Sequence, residues 1–133
     1  MPVFDNLQSL GLLVLRLVLG IIFLYHGIPK LKNAAMMAQG MGKPKGFIFT
    51  LGLVEILSSI AIILGLLTEI GAIFLTVVML GALYYKIFKW KIPFAAMDKL
   101  GWEFDLILLG AALALLFIGA GNISLDAMFG IWP

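Results

Sequence analysis

The chain has 133 residues, 63% of them hydrophobic and 12% charged, with a mean hydropathy of +1.16. A soluble domain averages roughly 45–50% apolar and about 25% charged residues, so both departures point to an integral membrane protein of one compact domain. The net charge of +2 speaks against a nucleic-acid partner, and the absence of cysteine speaks against disulfides, dithiol redox centres, iron–sulfur clusters and thiolate metal sites. Redox chemistry would then belong to a bound cofactor or a lipid-soluble substrate.

A short lead, residues 1–8, offers Asp5 and Asn6 as helix caps. It has no basic n-region and no small-residue cleavage site follows, so the first apolar segment is expected to be retained rather than cleaved. Span one is predicted over 9–28, with Arg16 inside it, Tyr25-His26-Gly27 near its end and Pro29 as its stop. The next loop holds Lys30, Lys32, Lys43 and Lys45 without an acid, and its middle suits a short interfacial helix followed by a Gly/Pro turn. Span two is predicted over 47–67 with Glu55, Ser58 and Ser59 inside it. A tight turn at Thr68-Glu69 leads to span three, 70–85.

The loop from Lys86 to Trp102 again carries four lysines, against Asp98 alone. Span four is predicted over 103–119, and Ser124-Leu125-Asp126 suits the cap of a last short turn. Eight of the nine basic residues fall in or beside the two lysine loops. The positive-inside rule then places both loops in the cytoplasm and both termini outside, in a multi-pass protein of the cytoplasmic membrane. The expected fold is all-α, an integral membrane four-helix bundle, because helices satisfy their own backbone in lipid.

Helical spacing aligns Arg16, Gly20, Phe23 and Gly27 on span one, and Gly52, Glu55, Ser59 and Ile62 on span two. On span four it aligns Glu103, Ile107, Gly110, Ala114, Phe117 and Gly121. Such small and polar rows are expected where membrane helices approach closely. Counting 1.5 Å per residue, Arg16 and Glu55 differ in depth by roughly 8 Å, which long side chains can close, so an Arg16–Glu55 ion pair is expected. It is either a staple fixing helix register or part of a polar pocket for a ligand head group.

A second set gathers near the lysine side: His26, Tyr25, Glu103, Asp105, Tyr84 and Tyr85. Each has a plain structural reading. The tyrosines, with Trp90 and Trp102, suit an aromatic belt, and the two acids suit a helix N-terminus. Together, one imidazole, two carboxylates and phenols at one depth suit a site that binds and protonates a polar head group. Metal binding by His26, Glu103 and Asp105 is geometrically conceivable, but a single His is a poor metal signature.

The run R-x3-G-x2-F-x2-HG-x2-K-L, from Arg16 to Leu31, resembles the opening signature of the DoxX family of small membrane proteins. Gly52 to Glu55, LGLLTEIGA at Leu64 to Ala72, WEFDLILL at Trp102 to Leu109 and GAGNISLDA at Gly119 to Ala127 follow in the same order. The resemblance implies kinship with the small subunit of a thiosulfate:quinone oxidoreductase and with membrane proteins linked to redox homeostasis. It implies a quinone as cofactor or substrate and a partner redox subunit. On this reading His26, Glu103 and Asp105 are candidate catalytic residues, and Arg16, Glu55, Tyr25 and Tyr85 candidate ligand-binding residues. The alternatives are a non-enzymatic membrane scaffold or assembly subunit and a small-solute carrier; the carrier would need a homodimer.

Overall fold

Long apolar blocks in a chain of this composition leave the backbone one economical solution, which is to bond to itself in helices. A computed structural model describes residues 2–131, with side chains from Leu7 onward. The chain runs through α1 (Pro2–Lys32), α2 (Ala34–Met41), α3 (Lys45–Leu64), α4 (Thr68–Tyr84), α5 (Trp102–Ile118) and α6 (Leu125–Phe129), and a π-helical turn, Tyr85–Lys89, extends α4. No strand occurs among the described residues. Three stretches are long and apolar enough to cross a membrane: Leu7–Lys32, Lys45–Leu64 and Thr68–Lys89. The apolar α5 has 17 residues.

α1 packs most extensively on α3, α3 on α4 and α4 on α5, while a lighter α1–α5 contact closes the ring. Inside it, Phe23 of α1, Ile62 of α3, Leu75 of α4 and Leu115 of α5 are buried in one cluster. The α1–α3 crossing uses the expected rows. A Cβ added at Gly52 would lie 2.6 Å from the Cβ of Lys30 and 2.9 Å from the carbonyl oxygen of Gly27, so the two backbones meet where only hydrogen fits. Arg16, Phe23, Gly27, Gly52, Glu55, Ser59 and Ile62 are all buried.

Three expectations need correction. Pro29 does not end α1, which continues one turn to Lys32. Proline removes one amide donor, but Asn33 N–H still reaches the Pro29 carbonyl at 2.7 Å and the last turn is held against α3. The row on α5 faces outward: Ile107 is 68% exposed and Phe117 78%, while Asp105, Leu108, Ala112 and Leu115 face the core. A helix apolar on every side carries no phase for periodicity to detect. The 65–67 turn also starts earlier than expected, because Gly65 takes a left-handed φ of +68° and ends α3 there.

The connections agree better. α2 is the expected short helix, with Ala34 and Ala38 packed on Ile48 and a left-handed Gly42 closing it. Ser124 caps α6, its hydroxyl accepting from the Ala127 amide at 3.1 Å. The side chains of Asp5 and Asn6, expected as caps, lie outside the described residues.

Candidate functional site

The buried charges separate into two groups at opposite ends of the bundle. At the end that holds the α3–α4 turn and α6, the Arg16 guanidinium is 1% exposed and donates to four backbone carbonyls. Nε reaches Ile62 at 2.9 Å, Nη2 reaches Ile63 at 3.0 Å, and Nη1 reaches Ala120 at 3.0 Å and Ile123 at 2.7 Å. Ile62 and Ile63 belong to the last turn of α3, whose carbonyls carry the negative end of the helix dipole and lie beyond the regular helical ladder, Ile62 accepting also from Gly65 N–H at 3.1 Å. The planar fork of arginine suits several acceptors fixed in different directions.

The same knot ties the end of the chain to its middle. The Asp126 carboxylate accepts from Leu67 N–H at 2.7 Å and Thr68 N–H at 3.0 Å, capping α4, and Asp126 N–H donates to the Gly65 carbonyl at 2.7 Å. Asp126 is also the carboxylate whose charge acts on Arg16. A Cβ on Gly65 would meet Ser124 Cβ at 2.5 Å and Arg16 Nη2 at 2.6 Å, so the turn is glycine for two reasons, its φ and its neighbours. With four of its five donors committed to backbone, Arg16 belongs to the architecture.

The expected Arg16–Glu55 pair does not form. Glu55 lies level with Gly27, where a Cβ would touch its own Cβ at 3.2 Å. That is eleven residues along α1 from Arg16, about 16 Å at the helical rise. Glu55, 2% exposed, pairs instead with Lys30, its Oε2 lying 2.6 Å from Nζ. Lys30 Nζ also approaches the His26 carbonyl at 3.4 Å.

This second group assembles around His26. The imidazole is partly buried between α1 and α5, with its centroid 5.5 Å from the Phe104 ring and 5.4 Å, edge-on, from Tyr25. Asp105, the first buried residue of α5, sits 2.6 Å from Nζ of Lys86 on the π-helical turn. Lys30, Lys86 and Asp105 are the charges that act on His26. Four helical elements therefore bring one imidazole and two lysine–carboxylate pairs to one end of the bundle.

The other sequence candidates lie apart. Tyr25 is 74% exposed, with its ring edge toward His26. Glu103 is exposed and lines an open groove of about 380 Å³ with Lys99, Leu100, Phe104 and Ile107. Tyr85 turns toward Trp90 and Lys43. Asp105 therefore joins His26 and Glu103 does not. No three of the described His, Asp and Glu residues come together as metal ligands.

Sequence reasoning missed Lys30 and Lys86, treating both as loop charges. Lys30 follows His26 by four residues, the spacing of a shared helix face, and that signal was available once Pro29 is allowed inside the helix. Lys86 had no such signal, because a π turn changes the angular spacing that places its side chain.

The DoxX family model matches residues 11–90. The chain belongs to the DoxX family. Among curated proteins, it is 28% identical over 121 residues to a Bacillus subtilis (strain 168) protein named "Putative oxidoreductase CatD", covering 89% of this chain and 86% of that one. No solved structure matches. The matched region holds Arg16, His26, Lys30, Glu55 and Lys86, and ends before α5, which supplies Phe104 and Asp105. The DoxX chain is thus a membrane protein whose paired lysines lie at the same end of the bundle as its single histidine.

Proposed function

We propose that this DoxX protein is a membrane-embedded component of an oxidoreductase, and that the His26 cluster receives the head group of a quinone. The observation that carries the reading is the position of His26, packed on Phe104 at the end of an apolar bundle that also holds two buried lysine–carboxylate pairs. The relative's name supports the oxidoreductase class. The quinone assignment rests on chemistry: carbonyl oxygens need hydrogen-bond donors, and an isoprenoid tail needs the apolar surroundings that helices α1 and α5 present to lipid.

The residues fit such a head group. His26 is the neutral or cationic donor within reach of the rim, and Lys30 and Lys86 supply further N–H donors whose charges are already balanced by Glu55 and Asp105. A bound quinone would supply two-electron, two-proton chemistry. His26 would donate to a carbonyl oxygen and hold or pass on its proton, Asp105 and Lys86 would set the field around the ring, and Phe104 would shield one face. The chain's own side chains hold no electron carrier, so electrons would pass through a partner redox subunit. In this reading α5 is a fourth span and the lysine end is cytoplasmic, with both termini outside.

Lipid extraction and mass spectrometry of the purified protein, with quinone titrated into wild type and His26→Ala, tests this. Loss of one hydrogen bond to a charged or strongly polar donor, about 1.5–3 kcal/mol, weakens binding by roughly 10- to 100-fold. Absence of copurified quinone together with superimposable titrations would overturn the proposal.

A further inference from the structure

Pairing leaves most of the lysine charge at this end unanswered. Lys30 and Lys86 are taken by Glu55 and Asp105, whereas among the described residues Lys32, Lys43, Lys45, Lys89, Lys91 and Lys99 have no carboxylate within ion-pair distance. Against these six positive charges stand two carboxylates outside the pairs, Asp98 and Glu103. The end of the bundle therefore carries a local positive excess although the whole chain is only +2.

Two of the six are mounted on aromatic rings. Lys43, half-buried in the α2–α3 turn, holds Nζ 4.8 Å from the Tyr85 ring centroid and 5.9 Å from that of Phe47. Lys89 holds Nζ 5.9 Å from the Tyr84 centroid. The rings themselves are continuous, with Tyr84 and Tyr85 edge-to-face at 5.7 Å and Trp90 5.6 Å from Tyr85. An aromatic face steadies an ammonium but cannot neutralise it. A platform of tyrosine and tryptophan at the end of an apolar helix belongs at the level of lipid head groups.

We propose that Lys43 and Lys89, on the Tyr84–Tyr85–Trp90 platform, form a binding site for the phosphate of an anionic phospholipid in the surrounding bilayer. The complementarity is of net charge. A zwitterionic head group brings its own ammonium toward the lysines, while an anionic one brings only the phosphate charge. Gly42, with a left-handed φ of +66°, and Pro44 fix where Lys43 leaves the turn, so the cation is presented rather than left to wander.

Native mass spectrometry of the full-length protein, with phosphatidylglycerol or phosphatidylcholine added to the detergent, reads the site directly. Phosphatidylglycerol is retained and phosphatidylcholine is not. Each lysine is expected to contribute about fivefold, so Lys43→Gln with Lys89→Gln weakens retention by roughly 25-fold. Lys99→Gln removes the same charge away from the rings and leaves retention near the wild-type level. The charge-keeping Lys43→Arg with Lys89→Arg also retains the lipid, which separates loss of the site from loss of the fold. Equal retention of both lipids, undiminished retention in the double Gln variant, or an equal loss in Lys99→Gln would overturn the proposal. So would inorganic phosphate competing at the same concentration as the lipid, which would assign the site to a soluble anion.

Discussion

At one end of this bundle a buried cation is held by backbone carbonyls, and at the other two buried carboxylates are each held by a lysine. Arg16 sits among the carbonyls of Ile62, Ile63, Ala120 and Ile123, nearly without exposure, and Asp126 closes the same knot by capping α4. Lys30 and Lys86 are each 15% exposed and their partners are buried, so the ionic end opens toward solvent or head groups where the Arg16 end does not. The contrast teaches that an intramembrane charge is not by itself a functional signal. A cation with four of its five donors on backbone carbonyls has become part of the backbone's framework, whereas paired charges beside a half-buried imidazole keep donors and a field available to a ligand.

The sharpest break in the comparison should come from Arg16→Met. Four carbonyls lose the guanidinium, and among the described residues only Ile62 keeps a backbone donor, Gly65 N–H, so the cost is expected at about 3–5 kcal/mol. Thermal unfolding in detergent, followed by helical circular dichroism, would show it. Arg16→Lys should recover less than half, because an ammonium is one point and cannot reach the end of α3 and the 119–124 loop at once. Full recovery by lysine would mean that charge, not fork geometry, holds the knot.

The next largest effect distinguishes the two members of one pair. Lys30→Met leaves Glu55 unpaired and 2% exposed, with an expected loss of about 3 kcal/mol, in the range seen when one partner of a buried pair is removed. Glu55→Gln leaves a lysine that is already partly exposed and can extend its ammonium outward, so about 1 kcal/mol is expected. The double variant Lys30→Met with Glu55→Leu should regain much of the stability, since burying two apolar chains removes the desolvation cost. Under the proposed function it should not regain quinone binding. Equal losses for the two single variants would mean that the stranded lysine is as costly as the stranded carboxylate.

Gly65→Ala tests whether the Arg16 end is as closed as its geometry indicates. The left-handed φ alone disfavours alanine by about 1 kcal/mol, and contacts with Ser124 and Arg16 add to that. Gly42→Ala has a similar φ but nothing within 4 Å of the added Cβ, so it should carry only the backbone part. Comparing the two melting temperatures isolates the packing contribution of the knot.

Much of the framework was legible from the order of residues. Apolar blocks, lysine loops and the Gly42-Lys43-Pro44 turn place α1 to α5, and the Gly27 and Gly52 rows identify the α1–α3 crossing. The partners of the charges were less legible. Counting depth from span ends, with Pro29 as an end, separates Arg16 and Glu55 by only roughly 8 Å, whereas Glu55 lies level with Gly27, eleven residues along α1 from Arg16. A count of residues also cannot see that carbonyls at the end of α3 draw in a guanidinium. The DoxX-like spacing from Arg16 to Leu31 contains both Arg16 and Lys30, yet spacing alone does not tell which faces a carbonyl and which a carboxylate. Asp126 was legible as a capping residue but not as the cap of a distant helix.

The smallest change is the most informative about function. His26→Ala removes a partly buried ring that packs on Phe104, and its neighbours Lys30 and Lys86 keep their carboxylate partners. The expected stability loss is therefore modest, about 1 kcal/mol, well below that of Arg16→Met. Quinone binding should nevertheless fall by roughly ten-fold or more, because the donor facing the head group is gone. Glu103→Gln, on the exposed side of α5, should leave binding unchanged although the residue lies two positions from Asp105. If Glu103→Gln weakened binding as much as His26→Ala did, the head group would sit in the open groove beside Lys99 instead of in the paired cluster. The ratio of those two affinities therefore decides which of two adjacent surfaces of the same helix end faces the ligand.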